Sequence, residues 1–148
     1  MEGRDDNARN KPFAEVITVE LSELDAAISY ARAWNRLDPE DFLTLLTEHS
    51  IYESQWVFDK LVGADAIGDY LRGKMRTVRV NSSTDPSVKV RAEIGIARDM
   101  GADRSCAYLQ QGAHGVVLLF EVENGKIKRY DFCIPQLYRP DHSGVYPI

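Results

Sequence analysis

The chain has 148 residues, with 18 Lys and Arg against 23 Asp and Glu, giving a formal net charge of −5. That length suits one domain able to bury its own core without disulfide or metal staples. The acidic balance excludes a general nucleic-acid binder, which needs a strong positive field.

The longest apolar run, Gly115 to Phe120, is strand-sized and far too short to span a bilayer, so no membrane partner is expected. The first residues lack the apolar core of a secretory signal. Cys106 and Cys133 show none of the close spacing of metal or redox motifs. Two reduced thiols in a cytoplasmic protein, with no metal and no cofactor, are therefore expected.

Residues 1–12 are polar and charged and read as a disordered tail, and the rest of the chain to 135 reads as the domain. Phe13 to Leu21 is β-prone. Ser22 and Asp25 have the spacing of a capping box, and Leu24, Ala27, Ile28, Ala31 and Trp34 then recur at helical spacing, predicting a helix that stops near Leu37. Asp38-Pro39 starts a short second helix whose buried face is Phe42, Leu45 and Leu46. Ser50 to Val57 alternates as a strand, with Tyr52, Ser54 and Trp56 on one side. Gly63 closes a loop. A third helix follows, marked by Ile67, Tyr70, Leu71, Met75 and Val78. Val88 to Ala97 alternates clearly, a strand runs from about Arg104 to Gln111, and Gly112 to Gly115 is a hairpin connection. Val116 to Val122 is the next strand. Asn124-Gly125 signals a tight turn, and Lys126 to Ile134 returns until Pro135 ends the sheet. Residues 136–148 read as a C-terminal tail. The predicted class is α+β: three N-terminal helices packed on a strongly curved, mostly antiparallel sheet, forming a cone with a pocket.

Four segments carry a resemblance. They are Tyr30-Ala-Arg-Ala-Trp-Asn-Arg-Leu-Asp38, Phe42 through Ser54, Gly63-Ala-Asp-Ala-Ile67 and Phe120-Glu-Val-Glu-Asn-Gly-Lys-Ile127. Together they resemble the nuclear-transport-factor-2-like superfamily, whose fold is also called ketosteroid-isomerase-like or polyketide-cyclase-like. The resemblance specifies a fold and leaves the activity open.

Carried over by position, Tyr30 resembles the tyrosine that ketosteroid isomerases aim at a developing oxyanion. Ser54 stands where those enzymes have their carboxylate base. Leu118 stands where they have a protonated aspartate. Tyr52 and Ser54 resemble the water-holding pair of limonene-type epoxide hydrolases, but Phe132 occupies the position of the activating aspartate. Asp131 lies next door and would reach the inside only with a one-residue change of register. His49, His114 and His142 read as surface histidines, with His114 and His142 kept as alternative bases.

The resemblance thus implies a site of Tyr30, Trp34, Tyr52, Ser54, Trp56, Leu118, Phe120, Tyr130 and Phe132, with Tyr30 and Asp131 as the catalytic candidates. The expected function is binding of a small, mostly apolar ligand. The alternatives are a lyase or isomerase using Tyr30 as oxyanion donor, or a ligand-free dimeric scaffold. The resemblance also implies a homodimer through the outer sheet face, where Val117, Leu119, Ile127 and Cys133 are expected.

Overall fold

The computed structural model describes residues 20–57 and 59–148. The expectations for residues 1–12 and for Phe13 to Val19 lie outside the described residues. Glu20 and Leu21 are irregular.

Helix α1 (Glu23–Arg36) starts where the capping box predicted. The Asp25 N–H donates to Ser22 Oγ at 3.0 Å, and the Ser22 N–H donates to Asp25 Oδ2 at 3.1 Å. These bonds satisfy two otherwise free helix-start donors. Leu37 ends the helix in the left-handed region at φ 54°, and the Asp38 N–H closes on the Ala33 carbonyl at 2.9 Å. The buried stripe is Ala26, Ala27, Tyr30, Ala31, Ala33 and Trp34. Leu24 was expected in it but is exposed.

Helix α2 (Glu40–Leu43) is a single turn. Thr44 Oγ1 donates back to the Asp41 carbonyl, and the Ile127 N–H donates to the Leu45 carbonyl at 2.8 Å. The sheet therefore captures the backbone early. Leu46, expected on the helix, instead opens strand β1 (Leu46–Ser54). The strand ends at Ser54, three residues short of the expected Val57. Strand β2 (Asp59–Val62), read from sequence as loop, pairs antiparallel with β1. Helix α3 (Ala64–Ser82) buries Ile67, Gly68, Leu71, Met75 and Val78.

The meander follows as expected: β3 (Val90–Asp99), β4 (Ala102–Gln111), β5 (His114–Glu123) and β6 (Lys126–Cys133). The chain then makes a one-turn helix α4 (Pro135–Tyr138) and a two-residue strand β7 (Asp141–His142). The sheet order is β2-β1-β6-β5-β4-β3-β7, antiparallel except for the β1–β6 pair. Helix α1 packs on β3, β4 and β5, while α3 packs on β1 and β2. This is an α+β plan, with the main core between helices and sheet.

Two register shifts shape the sheet, one in β1 between Leu46 and Ile51 and one in β5 between Glu121 and Val122. Buried Ser50 sits in the first, where its Oγ donates to the Ile127 carbonyl at 2.6 Å and accepts from the Thr47 N–H at 2.8 Å. A bulge changes which face a side chain takes. Ile127, expected on the outer face, accordingly lies in the inner core.

The outer face has a small core of its own, Ala97, Cys106, Val117, Leu119 and Cys133, with Tyr108 and Tyr138 packed on it. Burial pushes both thiols up to about 12. The apolar strip expected to lie open for a second copy is thus buried within the single chain. Among the described residues, no helix is long and apolar enough to cross a membrane.

Candidate functional site

The aromatic residues divide into two groups. Tyr30, Phe42, Phe120 and Tyr130 interlock as a solid knot, with ring centroids 5.0–6.3 Å apart. Tyr130 also meets Tyr52 at 4.8 Å. The second group begins where the knot ends. Tyr52 faces Tyr70 at 5.5 Å and Phe132 at 6.5 Å, and these rings border an open cavity of about 660 Å³.

Every layer of the fold contributes to the wall. Helix α1 brings Tyr30 and Trp34, and α3 brings Tyr70, Leu71, Lys74, Thr77 and Val78. The strands bring Tyr52, Val90, Leu109, Val116 and Phe132. At the rim stand Trp56, 54% exposed, the β4–β5 tip with Ala113 and His114, and Pro135 and Gln136. Tyr108 also borders the cavity, with its ring so close over Gly115 that a Cβ there would meet its hydroxyl at 2.0 Å.

Of the residues expected at the site, Tyr30, Trp34, Tyr52, Trp56 and Phe132 border the cavity; Ser54, Leu118, Phe120 and Tyr130 do not. Leu118, Phe120 and Tyr130 are fully buried in the main core. Ser54 is buried at the end of β1, where its Oγ accepts the Trp56 N–H at 3.2 Å. Asp131 is a correction too. It neighbours Phe132 on β6 and so points to the opposite face, where Arg129 holds it at 2.6 Å and also reaches Glu53 at 2.8 Å. No register change brings it inside.

His114 borders the rim, whereas His49 is exposed beside Glu48 and His142 pairs with Glu93. Among the described residues, no three His, Cys, Asp or Glu side chains gather into a group able to hold a metal ion.

Gln55 was not singled out in the sequence. Its side-chain amide accepts the Ile134 N–H at 3.0 Å and donates to the Tyr138 hydroxyl at 2.9 Å, while its backbone N–H donates to the Phe132 carbonyl at 2.9 Å. It fastens the end of β1 to β6 and α4, which places Trp56 and Phe132 at the mouth. Tyr70, Lys74 and Val78 were also missed as site residues. Their i, i+4 spacing on one helix was legible, but that pattern reads equally well as core.

Burial raises the Tyr30, Tyr52 and Tyr130 phenols well above the ordinary tyrosine value. All three keep their protons at neutral pH and can only act as hydroxyls. Two buried polar atoms, Trp34 Nε1 and the Tyr130 hydroxyl, have no hydrogen-bond partner among the described residues.

No family model and no curated protein matches the chain. Solved structures do. An NTF2-like protein of unknown function from Cytophaga hutchinsonii aligns at TM-score 0.52 and 12% identity, covering 82% of this chain and 97% of that one. An uncharacterized cystatin fold protein from Novosphingobium aromaticivorans aligns at TM-score 0.52 and 18% identity, covering 77% and 99%. A de novo designed protein with a curved β-sheet aligns at TM-score 0.50 and 18% identity, covering 77% and 88%. At these identities the likeness establishes architecture and leaves chemistry to the site itself. The chain has the nuclear-transport-factor-2-like fold, a curved sheet closed by helices around a cavity.

Proposed function

We propose that this protein binds one small, mostly apolar molecule in the cavity between its helices and sheet. The observation that carries this reading is the open space of about 660 Å³ beside an otherwise solid aromatic knot, a volume within the range of small-molecule sites. The Tyr52, Tyr70, Phe132, Trp34 and Trp56 rings supply apolar surface. Tyr30 and Tyr52, protonated because they are buried, supply hydroxyls to orient a polar group.

A reaction at Tyr30 would need a base beside it; among the described residues no carboxylate borders the cavity, and His114 stands on the exposed β4–β5 tip at its rim. Binding is therefore preferred to catalysis. Two free, buried thiols suit a cytoplasmic setting. A dimer would need surface other than Val117, Leu119 and Cys133, because the chain covers these itself.

Titration with the neutral fluorophore N-phenyl-1-naphthylamine tests the reading. Saturable binding of one molecule per chain, with quenching of Trp34 and Trp56 emission, is expected. Emission that rises without saturation would contradict it.

A further inference from the structure

The polarity of the cavity wall is one-sided. The chain has 23 Asp and Glu against 18 Lys and Arg, yet among the described residues no Asp or Glu borders the cavity. The wall does contain Lys74, and its ammonium lies 5.6 Å from the Tyr70 ring centroid. Among the described residues, no carboxylate lies within ion-pair distance of Lys74. Arg72, two residues earlier on α3, is by contrast held by Glu40 at 2.8 Å and lies 3.6 Å from Asp69.

From Lys74 the ring of Tyr70 leads to buried Tyr52 at 5.5 Å, and Phe132 meets Tyr52 at 6.5 Å along the same wall. A molecule lying on that wall has an apolar path at one end and, at the other, a cation that no carboxylate among the described residues pairs with. His114, on the β4–β5 tip, also borders the cavity and brings a ring nitrogen to it. A carboxylate in the wall would repel an acid, and an anion placed against Lys74 gains a charge-assisted hydrogen bond.

We infer that the occupant is an apolar acid, with its ring or chain body against Tyr70, Tyr52 and Phe132 and its anionic head at Lys74. This rests on the cavity being a binding site and adds the chemical class of what it takes. A net-negative protein repels anions in general, so a local cation at the mouth selects an acid that also has an apolar body to bury.

Two probes differing by one charge test this: N-phenyl-1-naphthylamine, which is neutral, and 8-anilinonaphthalene-1-sulfonate, the same skeleton with an anionic group. Both are titrated into the parent chain, Lys74→Gln and Lys74→Arg. The expected result is that Lys74→Gln weakens the sulfonate about fivefold more than the neutral probe, the upper range for one exposed charge pair, and that Lys74→Arg restores the difference. Equal effects of Lys74→Gln on both probes, or none on either, overturn the inference while the binding reading stands. Failure of both probes to bind the parent chain overturns both readings.

Discussion

Tyr130 is the most crowded aromatic residue of the knot, packed against Tyr30, Phe42, Tyr52 and Phe120. Its ring is fully buried and its hydroxyl has no partner among the described residues. A buried, unmet hydroxyl costs about 1–3 kcal/mol. Tyr130→Phe removes that cost and keeps the ring, so the variant should be more stable by about 1 kcal/mol, raising the melting temperature by roughly 2–6 °C. Calorimetry decides this, since a fall of the same size would mean the hydroxyl is bonded after all.

The sequence made Tyr30, Trp34, Tyr52 and Phe132 legible as a converging set, because strand alternation and helix spacing fix which way each side chain points, while Trp56 joins them from the turn beyond β1. It did not separate Tyr130 and Phe120 from them. Residues that fill a core and residues that line a void share one periodicity, and only the spacing between elements tells them apart. Asp131 followed from alternation alone, since it sits outward as its neighbour Phe132 turns in.

Among the elements, the C-terminal segment departs most from its sequence reading. Residues 136–148 have no period, yet from Asp141 onward they lie clamped along β3. Strand β7 pairs with β3, and the Ile94 N–H donates to the Val145 carbonyl at 3.1 Å. Asn35 Nδ2 donates to the Ala92 and Pro147 carbonyls, both at 2.7 Å. Glu93 is only 4% exposed on the outer face, where it pairs with His142 and accepts the Gly144 N–H at 2.9 Å.

This edge had one local signal. A glycine inside a strand often marks the close approach of another backbone, and a Cβ on Gly95 would meet the Asp141 carbonyl oxygen at 2.6 Å. Backbone cannot move aside as a side chain can, so Gly95→Ala should lift β7 and cost about 1–3 kcal/mol, the usual range for overpacking. The urea midpoint should fall, and the Ile94 amide should exchange faster with deuterium. If neither changes, β7 does not lie where it is described. The early end of α2 and the appearance of β2 had no such signal, because both depend on β6 and β1 being present to pair with.

At the scale of the molecule, the order of helices followed by a meander was readable because periodicity changes along the chain and Asn124-Gly125 fixes a turn. The β1–β6 parallel pair was not, since it joins segments far apart in sequence. The account rests on one global property: the fold spends side chains on a second, outer core and leaves space in the inner one.

Leu109 borders that space from β4 and is nearly buried. A Leu109→Trp chain projects a larger ring into the cavity from its β4 wall. With N-phenyl-1-naphthylamine, it should keep its fold by circular dichroism and lose at least about tenfold in affinity, equal to about 1.4 kcal/mol. Undiminished binding of one probe per chain by Leu109→Trp would put the guest elsewhere and contradict the assignment.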